Sequence, residues 1–123
     1  MLMDIHIEEP VGGVSVVGLN GELGSHSEDS IRDQLHPIVG EKNAKVVIDL
    51  SNIKTIDSSG LGHLISLVTH ARMTESRVVL CGASSFVRGV LDVTQLDQWF
   101  EMAASVEEAL SLFQDPTRPV TSR

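Results

Sequence analysis

Residues 46–62 have the sequence VVIDLSNIKTIDSSGLG. Together with Lys45, the first part is a short, nearly continuous β-branched run that ends at Leu50, which is typical of a strand covered on both faces. We expect a connector from Ser51 to Ile56 and a helix that begins at Asp57. The stretch therefore predicts a buried central strand that leads through a tight connector into a helix.

The predicted helix has a polar start and an apolar side. Asp57 is a natural N-cap, whose carboxylate is expected to accept a hydrogen bond from an amide near Ser59 or Gly60. Ser58 then falls at the first helical position, where its hydroxyl should face solvent. The apolar residues recur at helical spacing and form one broad stripe: Leu61, Leu64, Ile65, Val68 and Ala71.

Two glycines, Gly60 and Gly62, stand in the opening turn of this helix. A glycine inside a helix costs about 0.5–1 kcal/mol relative to alanine. One possible gain is a flat surface that another protein's backbone can approach closely. The other explanation for the glycines is ordinary capping together with close packing of the helix on the sheet. The local sequence favours neither explanation over the other.

Upstream of this stretch, the pattern predicts a hairpin and a helix. Apolar residues alternate from Ile5, a turn follows at Gly12-Gly13, and a second alternating run leads to Asn20-Gly21, which is expected to end the second strand. Between residues 27 and 39 the apolar spacing becomes helical. Pro37 should kink or shorten the last turn of that helix.

Downstream, strands and helices continue to alternate. Val78 to Cys81 predicts a second buried strand that ends at Gly82, and Ser84 or Ser85 can cap the next helix. The apolar residues that this helix carries are Phe86, Val87, Val90 and Leu91.

The end of the predicted domain is a short strand and a final helix. The strand or extended segment is indicated by Trp99, Phe100 and Met102. Ser105 to Glu108 has a capping-box pattern that opens a helix with its apolar residues inward, namely Ala109, Leu110 and Phe113. The order of elements predicts an α/β fold with a mixed, mostly parallel β-sheet of four to five strands and helices packed against it. We expect one domain over residues 1–115 and a flexible C-terminal tail over residues 116–123.

Charge and hydropathy exclude several classes of function. The chain has 123 residues, enough for one domain, and its 17 acidic against 9 basic residues give a net charge of -8. The phosphate backbone of a nucleic acid and an anionic membrane surface would both be repelled. No run of about 20 apolar residues occurs. We therefore expect a cytoplasmic protein that binds neither nucleic acid nor membrane.

The sequence contains no recognisable catalytic or metal-binding motif. The only cysteine, Cys81, lies in an apolar run and is expected to be a small buried hydrophobe. Of the five histidines, only His63 and His70 form a regular helical pair, and they are two turns apart, too far for i, i+4 chelation. No Gly-x-Ser-x-Gly elbow surrounds Ser58, and no glycine-rich phosphate loop follows a strand. We expect no enzyme activity, no cofactor and no metal, and histidines that are exposed or satisfied.

At this point a family resemblance adds to the physical interpretation. The pattern Asp-Leu-Ser-x-Ile-x-x-Ile-Asp-Ser-Ser-Gly-Leu-Gly at residues 49–62 resembles the signature of the STAS family, named for sulfate transporters and anti-sigma antagonists, and especially of the soluble bacterial anti-sigma-factor antagonists. Weaker similarities occur at residues 21–23, 91–96 and 105–110. The resemblance covers residues 4–114.

The resemblance implies a switch controlled by phosphorylation. In that family the residue after the Asp is the phosphoacceptor, here Ser58, and Ser59 is expected to help hold the local geometry. The implied partners are an ATP-dependent serine kinase that doubles as the anti-sigma factor and a metal-dependent serine phosphatase that reverses the modification. The unmodified antagonist binds the kinase and frees the sigma factor, whereas the phosphorylated antagonist does not bind. The implied partner-binding residues are Gly21, Glu22, Leu23, Gly24, Ser25, Asp57, Ser59, Gly60, Leu61 and Gly62.

The chain departs from the family pattern in one loop. Many antagonists have an Asp after Gly-Glu-Leu, in a loop near the phosphoacceptor that helps to contact the kinase. This chain instead has Gly24, followed by Ser25 and His26. We expect this difference to affect partner choice and the rate of phosphorylation, while the acceptor Ser58 is retained.

Two alternative functions fit parts of the sequence. A response-regulator receiver domain would need a lysine at the end of its fifth strand, and no lysine follows Lys54. The other alternative keeps the STAS fold but makes the chain a phosphorylation-independent subunit of a transport or sensory complex. Such a subunit needs no acceptor at position 58, so Ser58 favours the switch.

Overall fold

A computed structural model describes residues 3–114, which form one five-stranded sheet with helices on both faces. The strands lie in the order β1-β2-β3-β4-β5; β1 is antiparallel to β2, and the other neighbours are parallel. This confirms the predicted α/β fold with a mixed, mostly parallel sheet. The predicted tail, residues 116–123, lies outside the described residues. The strands are β1 (Asp4–Val11), β2 (Val14–Leu23), β3 (Lys45–Ile56), β4 (Arg77–Cys81) and β5 (Glu101–Ala103).

The helices follow the predicted order along the chain. The first helical segment, residues 25–39, is composite: a 3-10 turn (Ser25–Ser27), α1 (Glu28–Ser30), a π-helical stretch (Ile31–Leu35) and α2 (His36–Val39). The others are α3 (Ser58–Met73), α4 (Ser85–Val93) and α5 (Val106–Gln114), with a 3-10 turn (Leu96–Gln98) before β5. The first helical segment, α3 and α4 cover one face of the sheet, and α5 covers the other.

The centre of the sheet is β3, and its sequence explains its position. Val46, Ile48 and Leu50 point into the larger core, while Val47 points into the smaller core beneath α5. All four side chains are at most 1% exposed. A strand with apolar residues on both faces is stable only between two layers of helices, which is why apolar residues occupy nearly every position of this run.

Two strands run further than the sequence indicated. The expected connector from Ser51 to Ile56 was wrong, because β3 continues its parallel pairing with β2 until Ile56 lies opposite Leu23. The predicted end of β2 at Asn20-Gly21 was wrong for the same reason. The pairing of β2 with β3 contains polar residues and has two register irregularities, after Gly18 and after Gly21. Gly21 has a φ of 119°, which a glycine adopts readily.

The first helical segment accommodates its proline by a change of winding. Pro37 has no amide hydrogen to donate, and it falls in the first turn of α2, where that loss costs least. The preceding residues, Ile31–Leu35, are π-helical, so the disturbance lies before the proline. The segment still reaches Val39, and Ile31, Leu35 and Val39 are buried as the spacing predicts.

One apolar residue of α4 is on the surface. Val87 and Leu91, four residues apart, form the inner side of α4, and Val90 is partly buried. Phe86, an apolar residue of the same helix, is 53% exposed. It is the neighbour of Val87 in the first turn, rotated by about 100° around the helix, beyond the stripe that faces the sheet.

The predicted turn and caps are confirmed. The hairpin turns at Gly12-Gly13, the Ser84 hydroxyl caps α4 by accepting from the amide of Val87 at 3.3 Å, and the Ser105 hydroxyl accepts from the amide of Glu108 at 3.2 Å. Among the helices of residues 3–114, none combines the length and the hydropathy needed to cross a membrane.

Candidate functional site

The site begins where β3 passes into α3. Asp57 is the N-cap with extended backbone angles, and its Oδ1 accepts a hydrogen bond from the amide of Gly60 at 2.9 Å. Its carbonyl oxygen accepts the first helical bond from the amide of Leu61, also at 2.9 Å. Ser58 is therefore the first residue of the helix. Both the cap and the position of Ser58 agree with the sequence prediction.

Ser58 and Ser59 present free hydroxyls at this helix end. Both residues are exposed, and neither side chain makes a hydrogen bond within the described part of the chain. The helix behind them has 16 residues, and the N-terminus of such a helix favours a negative group by about 0.3–1 kcal/mol. The site can therefore accept an anion on Ser58 without breaking an existing contact.

A second segment, residues 21–25, lies directly against this helix end. The amide of Asp57 donates to the carbonyl oxygen of Leu23 at 3.2 Å. Leu23 is the last residue of β2 and pairs with Ile56, the last residue of β3. Both segments therefore lie at one edge of the sheet, where the carboxyl ends of these two parallel strands meet. The structure thus brings together the two groups of site residues that are more than thirty positions apart in the sequence.

Glycines make this close approach possible. A Cβ at Gly60 would lie 2.1 Å from the carbonyl oxygen of Leu23, and a Cβ at Gly24 would lie 2.8 Å from Oδ2 of Asp57. By contrast, Gly62 is exposed, and a Cβ there would meet nothing within 4 Å. Internal packing therefore accounts for Gly60, while Gly62 leaves a bare patch on the surface. Any larger residue at position 24, including an Asp, would therefore require the side chain of Asp57 to move.

A small hydrogen-bond network fixes the loop after β2. The amide of Gly24 donates to Oγ of Ser27 at 3.1 Å, and that hydroxyl donates to the carbonyl oxygen of Glu22 at 3.2 Å. Nε2 of His26 lies 3.0 Å from the same carbonyl oxygen. Ser27 is 1% exposed. Sequence reasoning did not identify its role, because a serine near a helix start gives no sign of which carbonyl it will contact.

The predicted site residues, which are the phosphoacceptor Ser58 and the ten partner-binding residues, divide by exposure. Five are exposed, two are partly buried and four are buried, so the buried ones can act only by positioning the others. The exposed residues are Ser25, Asp57, Ser58, Ser59 and Gly62, the partly buried ones are Glu22 and Leu61, and the buried ones are Gly21, Leu23, Gly24 and Gly60.

Other reactive groups do not contribute to this site. Burial, together with Asp49 and Glu107, raises the pKa of the Cys81 thiol to about 12, so it stays protonated at neutral pH. Within residues 3–114, no group of three or more His, Cys, Asp and Glu side chains is arranged to hold a metal ion. The chemistry that the arrangement offers is surface contact and modification of an exposed hydroxyl.

Comparison with known proteins identifies the family. Residues 7–109 match the STAS domain. The anti-sigma F factor antagonist of Paenibacillus polymyxa is 30% identical over 96 residues, which cover 76% of this chain and 82% of that protein. The crystal structure of an anti-sigma factor antagonist from Mycobacterium paratuberculosis superimposes with a TM-score of 0.77 at 25% identity, covering 92% of this chain and 95% of the other.

A further solved structure has a similar fold. It is that of the Bacillus cell fate determinant SpoIIAA in its phosphorylated form, with a TM-score of 0.67 at 24% identity, and the alignment covers 89% of this chain and 99% of SpoIIAA. The sequence match spans most of the described residues, and the fold agrees over nearly the whole chain. This chain belongs to the STAS domain family.

Proposed function

We propose that the protein is an anti-sigma-factor antagonist that works as a binding switch controlled by phosphorylation of Ser58. Its unmodified form binds an anti-sigma serine kinase and thereby releases a sigma factor. Phosphate on Ser58 abolishes that binding. The observation that carries the proposal is the exposed Ser58 hydroxyl, which has no hydrogen-bond partner within residues 3–114 and stands at the first position of α3.

The surroundings of Ser58 suit a protein interface. The side chains of Ser25, Asp57 and Ser59 are exposed on the same edge of the sheet, and Gly62 adds a bare patch one turn further along α3. Small and polar residues let a partner's backbone come close to the hydroxyl, as a kinase that phosphorylates it must. The buried contact between Leu23 and Gly60 holds this surface in a fixed shape.

The charge change explains why phosphorylation can switch binding. A phosphate adds about -1.5 to -2 charges and three acceptor oxygens. In the free protein the group stays in water at the N-terminus of α3, where amides and the helix dipole favour it. In a complex it is desolvated beside the Asp57 carboxylate, and without a basic residue of the partner this costs several kcal/mol. Affinity then falls by orders of magnitude while the fold is kept.

The proposed cycle has two partners besides the sigma factor. An ATP-dependent anti-sigma serine kinase supplies the phosphoryl group, and a metal-dependent serine phosphatase removes it. The protein itself acts by binding, with no catalysis of its own. The names of the relatives in the STAS family, and the existence of a phosphorylated structure of one of them, support this proposal.

The test uses serine variants and the serine kinases of the source organism. Wild type, Ser58→Ala and Ser58→Asp are purified with each candidate kinase, with and without ATP and Mg²⁺, and intact masses are recorded. We expect wild type to bind and to gain one phosphate, Ser58→Ala to bind without release by ATP, and Ser58→Asp to bind poorly. Ser66→Ala is the matched control, because Ser66 is an exposed serine of the same helix.

The same experiment distinguishes the alternative function. Equal binding by all three proteins, with no phosphate on the wild type, would indicate a phosphorylation-independent STAS subunit of a transport or sensory complex. A phosphate that persists in Ser58→Ala and disappears in Ser59→Ala would move the acceptor by one residue.

A further inference from the structure

Two histidines meet across the seam between the first helical segment and α3. Nδ1 of His36 and Nδ1 of His70 are 2.9 Å apart, and the rings are stacked with centroids 5.1 Å apart and planes inclined by 23°. One Nδ1 must carry the hydrogen and the other must be bare for this bond to form. A charged ring can still donate to a neutral one, but two charged rings would place two N–H groups head to head. The contact therefore tolerates one added proton and is broken by a second.

The surroundings of the pair disfavour positive charge. The pKa of His36 is lowered, first by burial and then by its proximity to His70 and His63. Nε2 of His63 is buried and has no hydrogen-bond partner among the described residues. His63 and His70 of α3 thus both disfavour a charge on His36, and sequence spacing showed only the two that belong to α3.

Charges of the neighbouring elements do not compensate for this. The arginine of the first helical segment, Arg32, lies 3.0 Å from Asp29 and 3.2 Å from Asp33, and all three are exposed. His26 of the same segment is exposed, with its Nε2 3.0 Å from the carbonyl oxygen of Glu22. On α3, Arg72 stacks on the ring of Trp99 with its guanidinium carbon 4.1 Å from the centroid. Within residues 3–114, no carboxylate forms an ion pair with His36. Other charged side chains of these elements and their flanking turns are exposed and form no ion pair within residues 3–114: Glu28, Glu41, Lys42 and Glu75.

The seam joins two elements that also build the candidate site. The first helical segment starts at Ser25, next to Gly24, which lies against the Asp57 carboxylate. From the geometry of the pair, we infer that His36 and His70 form a pH-sensitive latch, which fastens the first helical segment to α3 when at least one ring is neutral and releases it when both are protonated. The inference is independent of whether Ser58 is phosphorylated.

The sign of the effect follows from proton linkage. In the unfolded or locally opened chain a histidine titrates near its ordinary value of about 6.5, whereas the pKa of His36 in the closed form is lower. The closed form therefore binds fewer protons below that pH. Its stability is complete above about pH 6.5 and is lost as the pH falls towards the lowered value, by up to about tenfold in the opening equilibrium per pH unit.

The test compares pH dependence in matched variants. Urea denaturation and amide hydrogen exchange of residues 25–39 are measured between about pH 7.5 and about pH 5.5, on either side of the ordinary histidine value. His70→Gln keeps a polar side chain but removes one imidazole of the pair. His6→Gln is the control, because His6 lies on β1, is exposed, and has its Nε2 2.8 Å from the exposed Glu8, far along the chain from the pair. EDTA in all samples removes adventitious metal.

We expect exchange of residues 25–39 to accelerate at low pH in the wild type and in His6→Gln, by a factor that approaches tenfold per pH unit after correction for intrinsic rates. In His70→Gln the acceleration per pH unit should be at least threefold smaller than in the wild type. A factor of three is about half of a tenfold effect on a logarithmic scale. Equal pH dependence in all three proteins would overturn the inference. If His70→Gln does not fold, NMR titration of the wild-type ring of His36 decides, since a midpoint at or above about 6.5 would also overturn it.

Discussion

The amide of Asp57 donates a hydrogen bond of 3.2 Å to the carbonyl oxygen of Leu23. This bond ties the cap of α3 to the last residue of β2, so the position of Ser58 depends on a strand that precedes it by more than thirty residues. The same carbonyl oxygen faces the Cα of Gly60, leaving no space for a side chain. The candidate site is therefore a junction between two segments, and its geometry can be tested at each contact.

The first prediction contrasts the two glycines of α3. Gly60→Ala should destabilise the protein by about 1–3 kcal/mol or more, because its Cβ would lie 2.1 Å from a backbone oxygen and the helix must shift. Gly62→Ala should instead stabilise it by about 0.5–1 kcal/mol, since the site is open and alanine favours helix. Urea denaturation of both variants measures the difference. Equal effects would mean that α3 does not pack against Leu23 as described.

The second prediction concerns the helix cap. Asp57→Ala removes the acceptor for the amide of Gly60 and should cost about 0.5–2 kcal/mol in the free energy of unfolding. Asp57→Asn keeps a side-chain oxygen at the same place and should retain most of that stability. Chemical denaturation of the two variants provides the measurement. A loss as large for Asn as for Ala would show that the charge, and not the cap, stabilises this end of the helix.

A third prediction tests the contact between Gly24 and Asp57. Gly24→Ala places a methyl group 2.8 Å from Oδ2 of Asp57, so we expect it to disturb the cap and to cost about 1–3 kcal/mol. In the Asp57→Ala background the carboxylate is gone, and the same substitution should cost much less. A double-mutant cycle on unfolding free energies gives the coupling, expected to be at least about 0.5 kcal/mol. Additive effects would contradict the contact.

The sequence predicted the order of elements and the cap of α3, because both depend on local patterns. The apolar residues from Val46 to Leu50 indicate a buried strand. Asp57 indicates a helix start because its carboxylate can accept a hydrogen bond from a free amide of the first turn. The length of β3 could not be predicted, because Ser51 to Ile56 contains polar residues and is held as a strand by pairing with β2. That pairing is a long-range contact with no periodicity of its own.

The site was predictable in its residue types but less so in its roles. Ser58 and Asp57 are visible in the sequence because they stand at a helix start. The reason for Gly60 depends on a carbonyl oxygen from another strand, which no local pattern shows. The pairing of His36 with His70 was missed for the same reason, since the two residues are 34 positions apart.

The fourth prediction uses the thiol of Cys81. Because burial raises its pKa to about 12 and the residue is fully buried in β4, the folded protein should react very slowly with a thiol reagent at neutral pH. The rate should rise sharply in urea at the concentration where the far-ultraviolet circular dichroism signal is lost. Rapid reaction without denaturant, in a protein whose circular dichroism is native, would show that β4 and α5 open locally.

The last prediction asks whether the fold tolerates charge at the proposed acceptor. Ser58→Asp places a carboxylate at the N-terminus of α3, where the helix dipole contributes about 0.3–1 kcal/mol of stability. Repulsion from exposed Asp57 is of similar size in water, so the free energy of unfolding should stay within about 1 kcal/mol of the wild type. Ser66→Asp is the control, since Ser66 is exposed in the middle of the same helix, where neither effect operates.

Urea denaturation at low and at high salt measures both contributions. The helix dipole stabilises Ser58→Asp, the repulsion from Asp57 destabilises it, and salt screens both effects. Raising the salt concentration should therefore change the stability of Ser58→Asp little relative to Ser66→Asp. A loss of more than about 2 kcal/mol, beyond what an exposed substitution usually costs, would mean that the helix end cannot hold a negative group. Loss of kinase binding by Ser58→Asp would then reflect unfolding. A stable Ser58→Asp that fails to bind separates the switch from the fold.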